Sequence, residues 1–249
     1  MKKRIKLILI GTGIVVLLLA LVAGGLMLKM KSEMKKMKVI ETKEVVHNIY
    51  AVDDSFVNMF LVKDSDYYVA IDAGNDIVVI TEGLKKLNID PGKVRAVFLT
   101  HTDGDHVAAL KLFKNAILYL SKEEEQMING KTTRMLGKHN NIDAKIYTLL
   151  DDGQSLQVGG ITIKGILTPG HTPGSMSYLI NDNYLFVGDA FGLKDGKVVK
   201  PNKLFTGDMN TAVQSFSKIT HLPEAKFIFT AHSGYTGNYK NAITTKLNN

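Results

Sequence analysis

The sequence predicts a mixed α/β domain carried behind one apolar helix, and three observations predict it. Residues 7–28 run for 22 positions without a charge. From residue 45 onward, short β-branched and aromatic runs broken by Asp, Asn, Ser and Gly alternate with segments of helical period. Several of those runs end in His, Asp and Gly, which are more than turn formers.

The apolar run is long enough to cross a bilayer, since about 20 helical residues span the hydrocarbon core. A cleavable signal has a shorter core of roughly 7–15 residues, and the best exit here, Val22-Ala23-Gly24, is poor. Residues 1–28 therefore read as an uncleaved membrane anchor, with a cleaved signal as the alternative and a buried soluble helix as a third. Four basic residues and the α-amine precede the run and five basic residues follow it, so the positive-inside count is nearly balanced. The short leading tail favours an inside N-terminus, which predicts a single-pass protein of the cell membrane with its domain outside. Residues 29–44, rich in Lys, Met and Glu, read as a juxtamembrane stalk.

The domain, 45–249, is expected to begin with an antiparallel meander over 45–52, 56–62 and 67–71, separated by Asp53-Asp54-Ser55 and by polar residues 63–66. Ile77, Ile80, Leu84 and Leu87 mark a helix over 77–87, and Pro91-Gly92 breaks the chain beyond it. Next come a buried strand at 94–99, a helix at 107–113, a strand at 116–120 and a charged helix at 122–129. Residues 130–148 carry no clear pattern. A second β-rich start comes at 154–158 and 161–167. A hairpin turns at Asn181-Asp182-Asn183 between 176–180 and 184–187, a helix covers 212–219, and 227–230 is expected as the final strand. No Pro/Gly/Ser linker divides this span, so it reads as one domain.

The 249 residues contain no cysteine, which excludes a disulfide framework, a thiolate nucleophile and a cysteine metal ligand. The formal charge of +7 lies at the N-terminus: residues 1–38 hold nine basic residues and one acid, leaving 22 basic and 23 acidic residues in the body. A nearly neutral body lacks the electrostatic footprint of a nucleic-acid binder, and no nucleic-acid partner is expected.

The chemistry sits at strand ends. Thr100-His101-Thr102-Asp103-Gly104-Asp105-His106 places four potential ligands within six residues. A loop leaving a strand aims alternate side chains, His101, Asp103 and Asp105, toward one point, with His106 facing a second point beside it. Gly104 is expected to turn the backbone where a side chain would crowd. Imidazole and carboxylate together suit Zn2+, Fe2+ or Mn2+. A solvated turn with Asp105 as helix cap would account for one Asp only. Further on, His171 is framed by two Pro and two Gly residues in Thr168-Pro169-Gly170-His171-Thr172-Pro173-Gly174. Asp189 follows Gly188, His232 follows the strand near 227–230, and Asp72-Ala73-Gly74 follows the meander. Each is weak alone. Together, four histidines and three aspartates match the roughly six or seven ligands that two divalent ions need. His47, His139 and His221 lie in no such frame and read as structural or surface residues.

In this order the motifs resemble the metallo-β-lactamase fold superfamily over roughly residues 45–240. The family run is Asp-x-Gly, Thr-His-x-His-x-Asp-His, Pro-Gly-His-Thr-x-Gly, Gly-Asp and a late His. The resemblance implies a four-layer αββα sandwich with metals at one edge. It implies His101, Asp103 and His171 around one ion, Asp105, His106 and His232 around the other, and Asp189 between them. Asp72 would brace a ligand. Asp103 departs from the family, where a second His is usual. A carboxylate there shifts preference from zinc toward manganese or iron.

The expected function is hydrolysis of a small-molecule ester, thioester, lactone or similar substrate by a hydroxide bridging two divalent ions, zinc first, with Asp105 orienting the nucleophile. A phosphodiesterase acting on a small phosphodiester and a non-catalytic metal-binding module are the alternatives.

Overall fold

The computed structural model describes residues 2–134, 137–222, 225–245 and 247. It contains two compact units, Met1–Met37 and Lys38–Asn249.

The first unit is helix α1 (Lys2–Met34). Among the described residues it is the one helix long and apolar enough to cross a membrane, over Leu9–Met34. Its Leu17, Leu19, Val22 and Leu28 side chains are exposed. The helix runs through residue 28, where the sequence predicts a change from anchor to stalk. Residues from 38 onward belong to the second unit. Lys38 N donates to the His232 carbonyl at 2.8 Å, Asp53 N donates to Thr42 Oγ1 at 3.0 Å, and Ile40 exchanges hydrogen bonds with the buried Asn58 side chain at 2.7 and 2.8 Å.

The second unit is built on two sheets. One runs β1 (Lys43–Val46), β2 (Ile49–Asp54), β3 (Val57–Asp64), β4 (Tyr67–Ile71), β5 (Val94–Phe98), β6 (Ile117–Ser121) and β7 (Thr148–Leu150) in that spatial order. The first four are antiparallel, as the meander predicts, and β4 to β7 are parallel. The other sheet contains β8 (Ser155–Val158), β9 (Ile161–Leu167), β10 (Met176–Ile180), β11 (Tyr184–Phe186), β14 (Phe227–Phe229) and β15 (Tyr235–Thr236). A separate hairpin pairs β12 (Gly192–Lys194) with β13 (Lys197–Val199).

The two-residue strand period assigns the layers. In β3, Phe60 and Val62 face the second sheet, where they join Ile163, Tyr178, Phe186 and Phe229 in one core. The alternate residues Met59 and Leu61 face outward against Ile80 and Leu84 of α2 (Ile77–Lys86). The second sheet repeats this with Leu179, Leu185 and Ile228, which pack on Phe216 and Ile219 of α5 (Met209–Ile219) and on Ala242 of α6 (Tyr239–Ala242). Helix, sheet, sheet and helix are therefore the four layers. Strands covered on both faces lose the polar alternation of a half-exposed strand, which explains the near-continuous apolar runs.

Local differences have local causes. The run at 45–52 is two strands, because Asn48 takes φ 64° and reverses the chain. The helix expected at 107–113 is one turn, α3 (Gly104–Val107), followed by a 3-10 turn at Leu110–Leu112. The helix expected at 122–129 shortens to α4 (Glu125–Ile128). The strand at 227–230 is followed by β15, so it is not the last. The β12–β13 hairpin turns at Asp195-Gly196, both at positive φ, which is the strongest two-residue hairpin signal a sequence carries.

Candidate metal centre

Strand direction brings the motifs together. β4 and β5 are parallel. In the other sheet β9 and β11 each run antiparallel to β10, and β14 runs parallel to β11. The C-terminal ends of β9, β11 and β14 therefore share one edge. Asp72, the 100–106 loop, the 168–175 loop, Asp189 and His232 all leave strands at such ends.

The loop after β5 starts in an anchored state. Asp72 sits at φ 62°, an unusual conformation for a residue with a side chain. Its Oδ1 accepts from Thr100 N at 2.7 Å and its Oδ2 from Thr100 Oγ1 at 2.9 Å. His106 Nδ1 lies 2.9 Å from Asp72 Oδ2 and His101 Nδ1 lies 3.1 Å from Thr100 Oγ1. His232 Nδ1 donates to the Phe56 carbonyl at 2.5 Å. In each of these rings Nδ1 is tied to an oxygen, which leaves Nε2 directed at the shared edge.

The structure brings all seven expected side chains together, in three overlapping groups: His101, Asp103 and His171; His101, His106 and Asp189; Asp105, His106 and His232. Within each group the ligand atoms lie within 4.8 Å of one another. Asp103 Oδ2 is 3.6 Å from His101 Nε2 and 3.1 Å from His171 Nε2. Asp105 Oδ2 is 3.7 Å from His106 Nε2 and 3.5 Å from His232 Nε2. Asp189 lies between, with Oδ1 3.5 Å from His106 Nε2 and 3.1 Å from His232 Nε2, and Oδ2 3.6 Å from His171 Nε2. Plain alternation does not describe the loop. Helix α3 begins at Gly104, so Asp105 joins His106 and not the point shared by His101 and Asp103. Gly104 is not crowded either, because a Cβ there would meet nothing within 4 Å.

The donor set fits divalent cations. His101 Nε2, His106 Nε2 and Asp189 Oδ1 are buried without a hydrogen-bond partner. An orphaned buried polar atom is costly, and three at one edge suit a shared cation. Electrostatics agree. Burial alone would lower His106, yet the Asp72, Asp105 and Asp189 carboxylates push it up to about 10. Burial would raise Asp189, but His232, His106 and His171 hold it well below the usual carboxylate range. Burial lowers His171. Asp103 is opposed by burial and held far down by His101 and His171.

Three residues escape a reading of the sequence. Glu124 is fully buried and accepts from Thr102 N (2.8 Å), Thr102 Oγ1 (2.7 Å) and Thr172 Oγ1 (2.6 Å), so it joins the neighbours of His101 and His171. Arg134 and Asn140 both contact Asp103. The last two come from the stretch without pattern. Arg134 carries one signal, being one of three arginines among 31 basic residues. His47, His139 and His221 are exposed.

The chain combines a four-layer αββα fold with a His/Asp cluster at one sheet edge. The metallo-beta-lactamase superfamily model matches residues 52–232, and the chain belongs to that superfamily. It is 34% identical over 124 residues to the probable polyketide biosynthesis zinc-dependent hydrolase BaeB of Bacillus velezensis, a match covering 49% of this chain and 48% of that protein. It is 29% identical over 203 residues to the hydroxyacylglutathione hydrolase of Bartonella quintana, covering 79% and 70%. Among solved structures, a metallo-beta-lactamase family protein of Thermus thermophilus superposes with TM-score 0.61 at 18% identity, over 80% of this chain and 78% of that one.

Proposed function

We propose that this chain is a membrane-anchored hydrolase that uses two divalent ions on a small ester, thioester or lactone. His101, Asp103 and His171 would hold one ion, Asp105, His106 and His232 the other, and Asp189 would contact both. The single observation that carries this reading is the convergence of seven side chains with three orphaned buried atoms. Zinc is the first candidate, supported by the zinc-dependent Bacillus relative. Manganese or iron is favoured in proportion to the carboxylate oxygen that Asp103 adds.

The bound ions supply Lewis acidity and a water that ionises near neutral pH. The protein's part is to orient and exclude. Asp72 and Thr100 fix the rings of His106 and His101, so neither spends binding energy on reorientation. Asp105, with its side chain 24% exposed, is more open to solvent than Asp103 or Asp189. That exposure supports Asp105 as the group that would orient an attacking water. Beside His171 lies a cavity of about 490 Å3 lined by Thr132, Arg134, Gly170, Pro173 and Thr211. That volume suits a small organic substrate. The hydroxyacylglutathione hydrolase relative supports an acyl compound.

A panel of esters, thioesters, lactones and phosphodiesters, assayed with zinc- and manganese-loaded protein, tests the proposal. Turnover of an acyl substrate that is lost on chelation supports it. Turnover confined to phosphodiesters replaces the substrate class, and no turnover with two ions bound leaves a metal-binding module.

A further inference from the structure

Asp103 is held from several sides by the protein itself. Asn140 Nδ2 donates to its Oδ1 at 2.9 Å. The Arg134 guanidinium lies 2.9 Å from its Oδ2, the oxygen that also faces His101 and His171. The same guanidinium donates to the carbonyls of His171 and Phe205, each at 2.6 Å. One planar side chain thus joins the segment before residue 135, the His171 loop, the segment preceding α5 and Asp103. Among the described residues, no other Lys or Arg comes within ion-pair distance of Asp103, Asp105 or Asp189, whose remaining charged partners are imidazoles.

This arrangement has two physical consequences. Three carboxylates share one edge, and a permanently charged guanidinium offsets one of them without competing for protons. A carboxylate oxygen has two lone pairs, so Oδ2 can accept from Arg134 and still offer an electron pair to a cation. The rigid fork also reaches a carboxylate and two carbonyls at once, which a lysine ammonium cannot reproduce.

We propose that Arg134 is a positioning residue for the His101–Asp103–His171 subsite. It fixes the Asp103 carboxylate for an ion, offsets its charge, and makes that subsite depend on the docking of residues 131–134. The Asp105–His106–His232 subsite has no such dependence. This rests on the two-ion reading above.

The test is competitive titration of the full chain in detergent with Zn2+ and Mn2+ against a chromophoric chelator. Wild type, Arg134→Ala, Arg134→Lys, Asp103→Asn and the Asp103→Asn/Arg134→Ala double variant are compared. Arg134→Ala is expected to weaken one ion by about 10–100-fold, the usual cost of losing an outer partner, and to leave the other unchanged. Arg134→Lys recovers part of the loss. The double variant is no weaker than Asp103→Asn, because both changes act through one carboxylate. Equal weakening of both ions, or no weakening of either, overturns the proposal, as does an additive double variant. Wild type without ions would remove the two-ion reading and this one with it. Two tight ions in both wild type and Arg134→Ala would remove this one alone. If circular dichroism shows Arg134→Ala unfolded, Arg134→Gln carries the same comparison.

Discussion

His106 is tied to Asp72 through Nδ1 and faces Asp105 and Asp189 with Nε2. In the metal-free protein this imidazole is pushed up to about 10, so at pH 7 it carries a proton on the nitrogen an ion would take. Metal binding should therefore release a proton, and apparent affinity should rise with pH as His106 deprotonates. The sign for the metal-free protein is opposite. Stability from charged His106 is complete below the ordinary value of 6.5 and lost as pH rises through about 10. Adding zinc to weakly buffered protein at pH 7 with an indicator dye checks the release, and His106→Ala should lose that proton. The same variant and Asp189→Asn should each cost more activity than the roughly 10–100-fold of an outer partner. His139→Ala, at an exposed position, should stay near wild type. Activity in His106→Ala equal to wild type would remove it from the site. Glu124 makes a separate demand. Glu124→Ala strands Thr102 N and two hydroxyls in the interior. Each buried polar group left unsatisfied costs about 1–3 kcal/mol, so urea unfolding should show a loss of at least about that size, and Glu124→Gln a smaller one.

At the scale of elements, the site depends on how closely two loops from different sheets approach. Gly188 follows β11 at φ 51°, and a Cβ there would stand 2.5 Å from Thr100 Oγ1. Thr100 links Asp72 to His101, so Gly188→Ala should strain the backbone, cost about 1–3 kcal/mol and weaken metal binding with it. Gly104→Ala meets nothing within 4 Å and should change stability by less than about 0.5 kcal/mol. Chemical unfolding and metal titration of both variants check the contrast. The same pair explains what the sequence could reveal. The strand ends and the seven side chains that gather there are legible because rare residue types stand at short spacing, as in the 100–106 loop. Which glycine is crowded is a fact about a neighbour 88 positions away in the chain, Thr100 for Gly188, and no local pattern carries it. Arg134, Asn140 and Glu124 were missed for the same reason. Each acts through long-range contacts, while 130–148 has neither helical nor strand period to place it. The helix expected at 107–113 is displaced because its apolar spacing belongs to a 3-10 turn that follows α3, and the one expected at 122–129 is too long because its charged residues carry no mark of where the turn of α4 begins.

The whole molecule divides its charge as it divides its structure. Residues 1–38 hold nine basic residues and one acid, and the remainder is nearly neutral. The apolar side chains of α1 are exposed along the helix, with none of its most apolar window buried. Burying such a side chain away from water contributes about 1.5–3 kcal/mol, so a helix with these exposed leucines and valines suits an apolar partner. A bilayer supplies one, and the basic flanks suit its headgroups. The second unit has its own core between two sheets and further cores under its helices, and the side chains of the candidate metal centre all lie between His101 and His232. The full chain should therefore sediment with membranes and resist alkaline washing. A chain starting at Lys38 should stay in solution and bind the same number of ions as the full chain. Protease added to intact cells should digest the domain if it lies outside, and only after lysis if it lies inside. Soluble protein lacking its first residues, recovered from cells producing the full chain, would show that the helix is a cleaved signal, and the anchor would have to be abandoned while the metal centre stood.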